Sequence, residues 1–230
     1  QSLNNTILRL TIFILLFLSV YSTQSLALDA EAISSRVDSL YLTYKQDLGE
    51  AEMELNEYLK ILDANEQKVR VRVLQLLGII KKYQGDYEES IKHHERILRI
   101  NKKLTDDQVA IEAYLDLAAT VKENSDFNKS FLYLDSGLVV ARRAKDNVRI
   151  AKIRLVLGNL WQAQAGNEEK ALASFWLGLN RLNSDQDTKT KASLCMNIAN
   201  TYGDLHQVDS SLHFYRLAQV GFRKLNDISN

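Results

Sequence analysis

The side chains that could do chemistry in this 230-residue chain are four histidines, one cysteine and a few crowded carboxylates, and their spacing argues against each. His94-Glu95 opens the two-histidine pattern of zinc proteases, but the second histidine would fall at position 98, which is Leu98. His93 and His94 stand side by side on a helical stretch, about 100° apart around its axis, so they cannot chelate one ion together. His206 and His213 flank a turn and lack the third ligand of a zinc site. Cys195 is alone, which excludes an internal disulfide and any cysteine cluster. It lies on an apolar face and reads as a small buried hydrophobe rather than a reactive thiol. Asp86, Glu88 and Glu89 crowd a turn and a helix start, where the macrodipole favours acids, so they read as capping residues. A Gly-rich phosphate loop, a Gly-x-Ser-x-Gly elbow and a dinucleotide fingerprint are all absent from the sequence. The expectation is a non-enzyme with no metal and no cofactor.

The elements that carry these residues are amphipathic helix pairs. From Leu77 to Ile100 the chain reads as two helices joined by a polar turn at Gln84-Gly85-Asp86. Leu74, Leu77 and Ile80 recur at helical spacing in the first helix. Tyr87, Ile91, His94, Ile97 and Leu98 form the inward stripe of the second. Neither helix can bury its face alone, and copies of the unit follow. A Leu-Gly-like pair recurs as Leu77-Gly78, Leu117-Ala118, Leu157-Gly158 and Ile198-Ala199, at steps of about 40 residues. The second helices carry the triplets Ser90, His94, Ile97; Ser130, Leu134, Gly137; Ala171, Phe175, Gly178; and Ser211, Tyr215, Ala218. A fixed period of this kind predicts a helical solenoid. The repeats are placed at 71–104, 111–144, 151–185 and 192–226, after a degenerate capping pair at 31–64, which makes about ten helices over 28–230.

The chemistry of these positions resembles the tetratricopeptide repeat family. Gly85-Asp86-Tyr87 and Ser125-Asp126-Phe127 match its turn, and Trp161 and Tyr202 its first-helix aromatic. The resemblance covers about residues 67–226. The period exceeds the family's by about six residues. With no proline in the chain, the polar connectors Asn101–Asp107, Ala144–Val148 and Asn183–Asp187 predict second helices that run longer. Arg154 stands where the family has an apolar residue, and Ala165-Gly166-Asn167 adds one residue to its turn. The resemblance implies an all-α right-handed superhelix of antiparallel helix pairs, with first helices lining an inner wall that grips an extended peptide. By phase, that wall carries Arg72, Gln75, Lys82 and Tyr83; then Glu112, Lys122 and Glu123; then Lys152, Asn159 and Gln162; and finally Asn197, Asn200 and Asp204. Asn159 and Asn200 match the family's peptide-bonding asparagine slot, where an amide offers donor and acceptor as a second backbone would. The family's lysine one turn before the first asparagine is replaced by Leu155, which argues against capture of chaperone C-termini. Each wall residue also fits an ordinary hydrated helix face. Trp161 is expected in the core. Trp176 is expected to lean outward, either as a contact anchor or packed on the next repeat.

Composition sets the remaining bounds. Basic and acidic residues balance at 29 each, so the basic stripe of a nucleic-acid binder is missing. Arg9, the apolar run Thr11–Tyr21 and the small-residue pattern Ser25-Leu26-Ala27 resemble a signal peptide over 1–27. It is either cleaved before Leu28 or retained as a membrane segment. The chain is therefore expected outside the cytoplasm, periplasmic or secreted. Its last residues read like another connector, so further sequence is expected beyond 230. The function expected is a protein- or peptide-binding module, the sensory region of a larger bacterial membrane signalling protein of the histidine-kinase or DNA-binding type. The alternatives are a stand-alone envelope scaffold, or accessory repeats of an enzyme whose catalytic domain lies elsewhere.

Overall fold

The computed structural model describes residues 30–183 and 187–228, so the segment read as a signal peptide lies outside the described residues. Among the described residues there are ten helices: α1 (Ala30–Thr43), α2 (Leu48–Ile61), α3 (Gln67–Tyr83), α4 (Tyr87–Leu104), α5 (Asp107–Glu123), α6 (Phe127–Arg143), α7 (Asn147–Gln162), α8 (Glu168–Leu179), α9 (Thr188–Asp204) and α10 (Val208–Ile228). None of them is long and apolar enough to cross a membrane. The chain divides into two compact units, one ending at Ile80 and one beginning at Lys81.

Why the helices break where they do follows from a device repeated with the sequence. Gly85, Ser125, Lys145 and His206 each adopt a left-handed backbone conformation, with φ of 80°, 62°, 55° and 60°. The next residue then folds its N–H back onto the preceding helix. Asp86 donates to the Lys81 carbonyl at 2.9 Å, Asp126 to Val121 at 2.8 Å, Asp146 to Ala141 at 3.0 Å and Gln207 to Tyr202 at 2.8 Å. This is the Schellman closure of a helix C-terminus. At Asp86, Asp126 and Asp146 the same residue then starts the next helix, and Asp106 caps its helix without that closure. The carboxylates of Asp86, Asp106, Asp126 and Asp146, at twenty-residue steps, accept the amides of Glu89, Val109, Lys129 and Arg149. At Asp86, Asp126 and Asp146 one short turn thus stops one helix and caps the next; of the acids expected to cap, Asp86 does so, while Glu88 and Glu89 sit in the first turn and pair with Lys92.

In the first unit, α1, α2 and α3 enclose a core of Ile33, Val37, Leu40, Leu55, Leu76, Leu77 and Ile80. In the second, helices pair in sequence, α5 on α6, α7 on α8 and α9 on α10, and each pair packs on the next. The buried small residues of the second helices make these contacts close. Ser90 Oγ lies 3.1 Å from Thr120 Oγ1, Ser130 Oγ donates to the Ala118 carbonyl at 2.9 Å, and Ser174 Oγ donates to the Arg154 carbonyl at 3.0 Å. At Gly158 the face of Phe175 lies directly on the backbone, leaving no room for a Cβ.

Two expectations are corrected. Second helices do not uniformly run longer: α8 stops at Leu179, after 12 residues, because Leu182 turns inward and is buried beyond it. In the last repeat Phe214, not Tyr215, takes the core slot: Phe214 is 9% exposed and Tyr215 43%. An edge-on ring contact with Trp176, at 5.2 Å between centroids, holds Phe214 there.

Candidate functional site

The wall residues lie mainly on first helices, and in the second unit adjacent first helices touch directly. α9 packs on α7 as well as on α8. Gln162 spends its amide on this contact, donating Nε2 to Thr201 Oγ1 at 2.9 Å, and the Thr201 hydroxyl in turn donates to the Asn197 carbonyl at 2.8 Å. Charges do the same nearer the helix N-termini. Glu112 on α5 meets Arg149 Nε at 3.3 Å, and Arg149 also holds Asp146 at 2.6 Å. Lys152 on α7 lies 3.6 Å from Asp187, the cap of α9. In the first unit, Arg72 pairs with Asp38 and donates to Ser34 Oγ at 2.9 Å. Sequence reasoning did not find Arg149, Asp187 and Thr201 as partners. Opposite charges slightly less than one period apart were the available signal for Arg149 and Asp187.

Other positions assigned to the wall are not engaged by neighbouring helices among the described residues. Lys122 and Asn159 are exposed, Asn197 is half-buried, and none of the three side chains has a partner among the described residues. Asn200 is exposed, and its Oδ1 accepts the Tyr215 hydroxyl, which leaves the amide NH2 available. Tyr215, expelled from the core, thereby joins the wall; a one-residue shift of the α10 stripe was the signal for it. Lys82 is half-buried with Nζ 5.9 Å from the centroid of the exposed Tyr83 ring, and Gln75 is half-buried on α3. Glu123 and Asp204 are exposed.

The two tryptophans serve the packing. Trp161 packs on Phe131 at 4.3 Å between centroids with the rings tilted by 42°, and Lys170 Nζ lies 4.7 Å from the centre of its ring. Trp176 packs on Phe214 of the following helix pair, the second of the two roles open to it. Cys195 is 4% exposed, and burial pushes its thiol pKa upward, away from reactivity. Arg154 is partly buried, which lowers its pKa, and its stem packs beside Gly178. Among the described residues there is no cluster of three or more metal-ligating side chains.

No family model matches the chain. Solved structures do resemble it. BtubC (BKLC) from P. vanneervenii superposes with a TM-score of 0.68 at 19% identity, over 90% of this chain and 88% of that one. The Rap conjugation gene regulator of plasmid pLS20, in complex with the Phr* peptide, superposes with a TM-score of 0.72 at 18% identity. That match covers 90% of this chain but 56% of the regulator. RapI in its apo form gives 0.62 at 15% identity, over 90% of this chain and 89% of RapI. These likenesses define the fold as a tetratricopeptide-like array of antiparallel helix pairs.

Proposed function

We propose that the chain is a non-enzymatic module that binds a protein or an extended peptide along the first helices of its second unit. The observation that carries this is the division of labour on those helices. Arg149, Lys152 and Gln162 are committed to neighbouring helices, whereas, among the described residues, Lys122, Asn159 and Asn197 are not. An unpaired amide on a rigid helix satisfies a peptide unit with donor and acceptor together, at little ordering cost. The regulator that shares this fold in complex with the Phr* peptide supports the reading.

The finer reading is an extracytoplasmic sensory or interaction region of a larger bacterial signalling protein, supported by the signal-like pattern of residues 1–27. Sequencing the N-terminus of the mature protein tests it: a start at Leu28 agrees, and a retained Gln1 in the cytoplasmic fraction contradicts it. For the binding itself, a displayed library of linear peptides would be selected on the full chain and the best binder mapped by hydrogen exchange. Protection is expected on α5, α7 and α9. Protection confined to α6 and α8 would overturn the proposal.

A further inference from the structure

Two clefts in the second unit are built by equivalent residues two repeats apart, and their linings have diverged. The first lies between α4 and α6 beside the start of α5. The second, of about 340 Å³, lies between α8 and α10 beside the start of α9. Their lining residues correspond at an offset of 81, the separation of Leu117 from Ile198: Leu98 with Leu179, and Arg143 with Lys224. Between these fixed points the chemistry changes.

In the first cleft Arg143 is neutralised by Asp107. Asn101 closes its own turn by exchanging hydrogen bonds of 2.9 and 3.1 Å with the Asp106 backbone, and Tyr114 presents its ring. In the second, Leu182 replaces Asn101, Thr188 replaces Asp107, Cys195 replaces Tyr114 and Lys191 replaces Ala110. The acid has gone, the base Lys102 has given way to Lys191 at another point of the lining, and the polar and aromatic fillers have become small or aliphatic. Lys191 and Lys224 have no acidic partner among the described residues, and the exposed Leu217 and Val220 extend the apolar lining.

An apolar cleft whose two ammonium groups have no acidic partner among the described residues selects a ligand with an apolar body and an anionic head. Its volume sits at the low end of the roughly 300–1,000 Å³ of small-molecule sites, and a polypeptide helix, about 10 Å across, is too thick to enter it. We propose that this cleft binds an amphipathic carboxylate, a single acyl chain laid against Leu179, Leu182 and Leu217 with its head group held by Lys191 and Lys224. Lysine suits the task because its stem covers apolar surface while its ammonium reaches the mouth. The cleft is independent of the first-helix wall.

The test is calorimetric titration of the full chain with decanoate below its micellar range, with decanol and decyltrimethylammonium as neutral and cationic probes. Saturable one-to-one binding is expected for decanoate, and binding at least tenfold weaker for the other two. Lys191→Glu with Lys224→Glu is expected to weaken decanoate at least tenfold while leaving decanol unchanged. Val220→Asp places a carboxylate in the exposed part of the apolar lining and is expected to weaken decanoate at least tenfold, and decanol as well, with helicity intact. Cys195→Tyr, which restores the filler of the earlier cleft, is expected to abolish binding; circular dichroism separates this from unfolding. Failure of decanoate to saturate, equal binding of all three probes, or indifference of decanoate to both charge substitutions would overturn the assignment.

Discussion

At His94 the chain sets an imidazole where the next two repeats have Leu134 and Phe175. The ring is 1% exposed, and its Nδ1 has no hydrogen-bond partner. Burial, with lesser repulsion from His93 and Lys82, pushes its pKa down to about 3. The Asp116 carboxylate, 3.8 Å away, is too distant to bond Nδ1, and burial prevails over its attraction. An unfolded histidine titrates near 6.5. The folded value is lower, so the neutral ring's contribution is complete above about pH 6.5 and is lost as pH falls towards 3. His94→Leu is expected to flatten that part of the stability–pH profile, as read by chemical denaturation at pH 7.5 and 4.5; an unchanged slope would contradict it. Gly158→Ala is a second test at this scale. The added methyl must displace the Phe175 ring, and a loss of about 1–3 kcal/mol is expected in denaturant melts. Burial at His94, Leu134 and Phe175 was legible from helical spacing alone. The exchange of Phe214 for Tyr215 was not, because Trp176 decides it from another repeat.

Helix boundaries rest on the turn that stops one helix and starts the next. Asp146→Ala is expected to cost about 1 kcal/mol, since the Arg149 amide loses its acceptor. Lys145 pays the left-handed penalty of a side chain, φ 55°, so Lys145→Gly is expected to stabilise by up to about 1 kcal/mol; thermal melts of the two variants should move in opposite directions. The caps also set an acid limit. The Lys129 amide holds the Asp126 carboxyl below its usual range. Burial opposes the same effect at Asp146 and Asp187, but hydrogen bonds from Arg149 and from Thr190 outweigh it. Lowered folded pKa values mean stabilisation that is present above about pH 4 and lost as pH falls through the folded values. The helix pairs were legible in the sequence because apolar stripes and turn residues agree. The early end of α8 was not, since its stop depends on Leu182 finding a buried place after a polar stretch.

For the molecule as a whole, the core and the proposed binding wall are separable sets of residues. Leu77 is fully buried in the first unit, so Leu77→Asp leaves an uncompensated charge there and is expected to unfold that unit, with a large loss of helical circular dichroism. Asn159 is exposed and has no side-chain partner among the described residues, and Asn159→Ala should leave the spectrum and the melting temperature unchanged. The sequence assigned wall positions by phase and gave no sign of which of them would pair with neighbouring helices. That depends on pairings such as Glu112 with Arg149 and Gln162 with Thr201, formed between helices a period apart. The most direct test of the central claim is calorimetric titration of one selected linear peptide against the parent chain and the Asn159→Ala, Asn197→Ala double variant. Two lost hydrogen bonds of about 1 kcal/mol each give an expected weakening of tenfold or more with helicity unchanged; equal affinity for the two proteins would contradict the account.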